Sequence, residues 1–213
     1  SIVPGLEHHS FTMRTLEDAY NLRNHLIGCF ELADVTLDKK LKKRLLNIVV
    51  VGGGFSGVET IGELKEMSGR LLPYYKNISE NELKFHIVEF SDKLLPELAG
   101  NISEYTLSVF QKRKIKIHLK TALKEVSIYK VFLSNGKSIE TNTIISTIGS
   151  TVSKIIKKSG LPLKNGKIIT DEFLQVSNFE NVWAIGDSAL IPNKFDLNDY
   201  PYSLPTAQFA VRQ

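Results

Sequence analysis

The run Gly52-Gly53-Gly54-Phe55-Ser56-Gly57 puts glycine at its first, third and sixth positions. Each of those glycines has a physical task in a turn that holds a dinucleotide. Gly52 makes the tight exit from a strand, Gly54 lets the backbone approach a pyrophosphate, and Gly57 lets a helix pack closely on the strand. A helix leaving near Gly57 would point its unpaired N–H groups and the positive end of its dipole at the phosphates. A P-loop is excluded, because Val58 and Glu59 follow Gly57 where Lys and Ser or Thr are required. Glu89 is the candidate acid for the ribose hydroxyls of an adenosine. It comes later than the usual ~20 residues, after a long helix and a loop through Pro73, Tyr74 and Tyr75. An acid there favours NAD over NADP, whose extra phosphate it would repel, and Lys93 weakens that preference slightly. Glu59 has two readings of equal weight. One is dipole stabilisation of the helix start; the other is a carboxylate beside a reacting ring.

The elements around these residues must present them at one sheet edge. Asn47 to Val51 is a short β-branched run without polar alternation, as in a strand covered on both faces. Val58, Ile61, Leu64, Met67 and Leu71 recur at steps of three and four, which predicts a helix leaving the glycine turn. Residues 84–90 and 115–119 read as further strands, and 102–112 as a helix between them. Three short strands follow at about 122–128, 130–134 and 137–141, and Asn135-Gly136 marks a hairpin. Thr143 to Ile148 returns as a buried-type strand ending at Gly149, which joins the cofactor-binding set. Before the first strand, residues 1–14 read as loop. Thr15 opens a helix running to about Asp38, and the basic stretch 39–44 reads as a connector. The fold class is therefore α/β, a Rossmann-type parallel sheet with an antiparallel β-meander.

Bulk properties narrow the class further. With 42% hydrophobic and 23% charged residues in 213, the chain reads as a soluble globular protein. A formal charge of +4 gives no case for a nucleic-acid partner. Cys29 is the single cysteine, so no internal disulfide or Cys-based zinc site can form, and its default role is a buried spectator. His8 and His9 have no third ligand at metal spacing, and no metal is expected. No run approaches the roughly 20 apolar residues that span a bilayer. The opening Ser1 to Leu6 lacks an initiator Met and a structural unit of its own, so the chain is expected to be a piece of a longer protein.

Near the end, Asn181-Val182-Trp183-Ala184-Ile185-Gly186-Asp187-Ser188-Ala189 reads as a short buried strand breaking at Gly-Asp. It resembles the second flavin-binding signature of flavoproteins with two dinucleotide-binding domains, and Thr170-Asp171-Glu172 looks like the stretch preceding it. That likeness gives Asp187, with Gly186, the role of binding the ribityl chain of FAD. Together with Val50 to Glu59, Val88-Glu89, Leu94-Leu95-Pro96 and Pro205-Thr206-Ala207-Gln208, the pattern resembles type II NADH:quinone oxidoreductases, within the pyridine nucleotide-disulfide oxidoreductase superfamily. The resemblance runs from Pro4 onward. It implies an enzyme in which NADH passes hydride to FAD and electrons then reach a quinone-like acceptor, with Ala207 and Gln208 opening a helix beside the flavin. The family's second Gln falls at Arg212 here, with Gln213 following. The implied division is residues 1–44 as a flanking piece of the flavin domain, 45–150 as the NADH-binding domain and 151–213 as the return into the flavin domain. The piece alone is expected to bind NADH with little catalysis and to self-associate as a homo-oligomer. A cytoplasmic location is expected, at the cytoplasmic face of a membrane for the full-length protein. Two alternatives stand beside this: a disulfide or sulfide oxidoreductase of the same superfamily, and a non-catalytic NADH-binding module.

Overall fold

The computed structural model describes residues 3–98, 100–148, 154–193 and 201–203. The chain divides into two compact units, Ser1–Ile148 and Gly149–Gln213. In the first, α1 (Leu6–His9), α2 (Leu16–Val35) and α3 (Lys39–Leu45) precede β1 (Asn47–Val51), α4 (Phe55–Leu71), β2 (Lys84–Val88), α5 (Gly100–Lys112) and β3 (Ile115–His118). A meander of β4 (Leu123–Ser127), β5 (Lys130–Leu133) and β6 (Ser138–Glu140) then leads to β7 (Thr143–Ser146). The second unit holds α6 (Lys154–Lys158), β8 (Leu163–Lys164), β9 (Lys167–Ile169) and β10 (Ala189–Leu190).

The main sheet is parallel in the order β3-β2-β1-β7, with Val51 level with Val88 on one side and with Ser146 on the other. β1 is its most covered strand. Ile48 and Val50 face a core built with Leu22, Leu26 and Phe30 of α2, Ile61 and Leu64 of α4 and Phe110 of α5. Val49 and Val51 face the meander through Val126, Val131, Leu133 and Ile139. That two-sided burial is why the run lacks polar alternation. The boundary expected at 44/45 falls inside this compact unit, since α2 supplies part of the core beneath β1.

Two segments depart from the sequence reading. Within 1–14, α1 is helical, and Phe11 bridges Ile145 in parallel, its N–H donating to the Ile144 carbonyl at 2.8 Å. The basic stretch is a helix rather than a connector. The Asp38 carboxylate caps it by accepting from the Lys40 and Leu41 N–H groups, and Lys42 pairs with Glu82 at 2.8 Å. Lys and Arg are good helix formers, and cations in the last turn suit the dipole, so one cap suffices. The long helix begins where expected, with a capping box between Thr15 and Asp18, and ends at Val35. The Asn135-Gly136 hairpin is present, with Gly136 at φ +78°. Cys29 is buried, and burial pushes its thiol up.

A histidine pair lies on the meander side of the sheet. His86 Nδ1 of β2 is 3.0 Å from His118 Nε2 of β3, with the rings stacked. Burial first, then the charges at His118, Lys116 and Lys84, push His86 down to about 3. Burial, then Lys116 and Lys137, lower His118 as well. In the unfolded chain a histidine takes up a proton near its ordinary value of about 6.5. Stability carried by neutral His86 is therefore complete above pH ~6.5 and drains away as pH falls toward about 3. By pH 5 the expected loss from this group is about 2 kcal/mol. Urea denaturation at pH 7.5 and 5.0 tests this, and a His86→Phe variant should show a flatter acid limb. An unchanged limb would assign the acid sensitivity elsewhere.

Candidate functional site

The glycine turn sits at the C-terminal end of β1, where the neighbours β2 and β7 part. The Gly52 N–H donates to the Val88 carbonyl at 2.9 Å, and the chain turns there with φ +110°, a conformation that suits glycine. The Gly53 N–H donates to Glu89 Oε2 at 2.5 Å, and its carbonyl accepts from the Leu95 N–H at 2.8 Å. Gly54 is the N-cap of α4, in extended conformation. Among the described residues beyond its chain neighbours, a side-chain carbon there would meet only Glu97 Oε1, at 3.8 Å. A carbon on Gly57 would overlap the Gly52 carbonyl oxygen. The third glycine thus serves helix–strand packing, as its spacing requires.

The helix begins at Phe55, two residues before the expected start. Gly57 therefore lies inside the first turn, and Val58 is the first residue to close a helical bond, to the Gly54 carbonyl at 3.0 Å. The N–H groups of Phe55, Ser56 and Gly57 precede that bond and have no helical acceptor. Gly54 has no side chain with which to cap them. Those donors, the dipole and an uncrowded Gly54 together make an anion-accepting corner.

Glu89 follows β2 and is held beside this corner. Its Oε2 accepts from Gly53 N–H and its Oε1 accepts from Ser91 N–H at 2.7 Å. Each oxygen keeps a further lone pair for a hydroxyl donor. The Lys93 ammonium donates to the Leu98 carbonyl at 3.1 Å. Glu59 is exposed on the first turns of α4 and lines a depression of about 290 Å³ with Met13, Ser56, Thr60, Glu63 and Leu64.

Gly52 to Gly57 and Glu89 are thus brought together, with Glu59 along the same helix. Gly186 and Asp187 belong to the second unit. There Gly186 has φ +63° and opens a 3₁₀ turn, and Asp187 is exposed with no hydrogen bond or ion pair to the described residues. The buried strand expected over 181–189 is not formed. Trp183 bridges Gln175, while Trp183 and Ile185 are 58% and 67% exposed. The small core around Ile168, Val176 and Ala189 takes in Ala184 and so covers one face of the segment alone. Gly149, Ala207 and Gln208 lie outside the described residues.

Three further residues contribute to the turn: Leu94 belongs to the Leu94-Leu95-Pro96 motif, while Thr147 and Glu97 carry no clear sequence signal. The Thr147 hydroxyl donates to the Val51 carbonyl at 2.9 Å and stands against Gly52 and Gly57. Leu94 packs over Gly53, and Glu97 reaches Gly54.

A parallel sheet with a glycine turn at the end of an inner strand, a helix N-terminus and a strand-end carboxylate defines a dinucleotide-binding domain of the Rossmann type. The chain belongs to the pyridine nucleotide-disulphide oxidoreductase family, whose model matches residues 2–213. It is 32% identical to a probable NADH dehydrogenase of Dictyostelium discoideum, over 98% of this chain and 45% of that protein. It is 28% identical to a type II NADH:quinone oxidoreductase of Staphylococcus aureus, over 99% of this chain and 52% of that protein. Among solved structures it resembles NDH2 from Plasmodium falciparum in complex with NADH. The TM-score is 0.78 at 25% identity, covering 89% of this chain and 41% of that one. The chain spans about half the length of these relatives. Among the described residues, no helix is long and apolar enough to cross a membrane.

Proposed function

We propose that this chain is the NADH-binding part of an FAD-dependent NADH dehydrogenase that delivers electrons to a quinone-like acceptor. The observation that carries this reading is the open Gly54 at the N-terminus of α4, with Glu89 pinned beside it by the Gly53 and Ser91 N–H groups. The pyrophosphate of NADH takes the first-turn N–H groups of Phe55, Ser56 and Gly57, and the adenosine ribose takes the Glu89 carboxylate. This orients the nicotinamide end along α4, toward the depression at Glu59. There the carboxylate positions the ring. FAD, when bound, supplies the hydride acceptor. The exposed and unengaged Asp187, beyond an open Gly186, fits a hydroxyl-bearing ribityl chain. Gly149, at the end of the 45–150 NADH-binding domain, is assigned to the cofactor-binding set, and residues 151–213, with Ala207 and Gln208 near their end, to the return into the flavin domain and the acceptor side. The flanking segment 1–44, a homo-oligomer and a peripheral place at the cytoplasmic face of a membrane complete this reading of the longer protein.

Titration of the purified chain with NADH and NADPH, followed by nucleotide fluorescence, tests the reading. NADH is expected to bind more tightly, because a 2′-phosphate would meet the Glu89 carboxylate. Glu89→Gln is expected to weaken NADH by about tenfold, on the scale of one hydrogen bond to a charged group, and to narrow the gap to NADPH. Equal binding of the two nucleotides by the unaltered chain would remove the ribose role from Glu89.

A further inference from the structure

Glu97 is unexplained by the fold or by the roles above. Its Oε1 is, among the described residues outside the immediate chain neighbours, the one heavy atom within 4 Å of the position a Gly54 side-chain carbon would take, at 3.8 Å. Its Oε2 is buried and has no hydrogen-bond partner among the described residues. Buried acceptors without donors are rare because water is lost and nothing replaces it. The ammonium nearest in sequence, Lys93, donates to the Leu98 carbonyl and does not reach this oxygen. Glu89, the other carboxylate at the turn, already takes the Gly53 N–H.

We infer that Glu97 is a specificity-determining residue that opposes phosphate charge at the glycine turn and so tempers affinity for the dinucleotide. This rests on the nucleotide reading of the turn given above. A pyrophosphate offers acceptors only, as does an ionised carboxylate, so the two cannot hydrogen-bond and their charges repel. Phosphate approaching Gly54 must displace Glu97 or sit beside it. In either case the helix N-terminus attracts the ligand while Glu97 subtracts from that attraction.

The test compares the unaltered chain with Glu97→Gln, Glu97→Ala and Glu97→Asp, using adenosine, AMP, ADP and NADH as probes. Glu97→Gln and Glu97→Ala are expected to tighten ADP and NADH by about three- to tenfold, AMP by less, and adenosine not at all. The gain should shrink between about 50 and 300 mM salt, because screening shortens the reach of the removed charge. Glu97→Asp, which withdraws the carboxylate by one methylene, should fall between. Unchanged or weaker ADP binding in the Gln and Ala variants would overturn the inference. So would equal tightening of adenosine, or loss of fold in all three variants, which would make Glu97 a structural residue. Failure of the underlying reading shows separately, as absent NADH binding by the unaltered chain.

Discussion

Gly54→Val is expected to abolish NADH binding, with at least a hundredfold loss of affinity, while the chain remains folded. The fold tolerates the change because Gly54 is already in an extended conformation with φ −74°, which any L-residue adopts. A carbon placed there finds only Glu97 Oε1, at the ordinary contact distance of 3.8 Å. The residual structural cost is that of a branched residue at an N-cap, about 1 kcal/mol. The ligand has no such latitude. The two γ-methyl groups of valine would stand where a phosphate must come to reach the N–H groups of Phe55, Ser56 and Gly57. Blocking that approach removes several charge-assisted bonds at once, each worth about 1.5–3 kcal/mol. Nucleotide fluorescence gives the affinity, and circular dichroism melting gives the fold. Gly54→Ala should lie between the two, since one methyl obstructs less. Undiminished NADH affinity in the valine variant would move the pyrophosphate away from this turn and take the proposed function with it.

The Rossmann core was legible because its signals are local. A strand buried on both faces must be apolar throughout, a tight exit must be glycine, and a helix on the sheet must show a stripe at steps of three and four. β1, the turn and α4 supply all three in one continuous stretch. What escaped was whatever depended on caps or on contacts through space. The start of α4 was placed too late because its N-cap is Gly54, which leaves no side-chain signal. The helical nature of 39–45 was hidden by its charge pattern, although Asp38 stood ready as a cap. The apolar content of 181–189 suggests a buried strand, which does not form because only one face of the segment is covered. Trp183 and Ile185 alternate outward against Val182 and Ala184, and the second unit has a core on one side of it.

The candidate site divides along the same line. Gly52, Gly54 and Gly57 keep a fixed local spacing and could be found by counting, and Glu89 could be found by its place at the end of an apolar strand. Thr147 and Glu97 reach the turn from the loops after β7 and β2, and their roles exist only once the sheet order β3-β2-β1-β7 places those loops beside β1. A carboxylate at 97 is unremarkable as a letter in a sequence. It becomes informative when its oxygen is found buried and without a donor next to a phosphate-binding corner.

The second large effect is on stability, and it sets two glycines of one helix against each other. Gly57→Ala is expected to destabilise the chain by about 3 kcal/mol, at the upper end of overpacking costs. The new carbon would overlap the Gly52 carbonyl oxygen and lie 2.9 Å from the Gly52 carbonyl carbon and from Thr147 Oγ1. Two of those are backbone atoms at the tight exit from β1, so they cannot swing aside as a flexible side-chain tip would. Relief requires α4 to lift from β1, which opens the contact of Ile61 and Leu64 with Ile48 and Val50. The same substitution at Gly62, where no atom of the described residues outside the helix's own backbone lies within 4 Å of the added carbon, meets none of these obstacles. There, replacing a helix-interior glycine should stabilise the chain by about 0.5–1 kcal/mol. Urea denaturation of the two variants side by side separates packing from propensity, because propensity alone predicts a gain at both positions. If Gly57→Ala were as stable as Gly62→Ala, the close approach of α4 to β1 would be wrong, and so would the aim of its first-turn N–H groups at a phosphate.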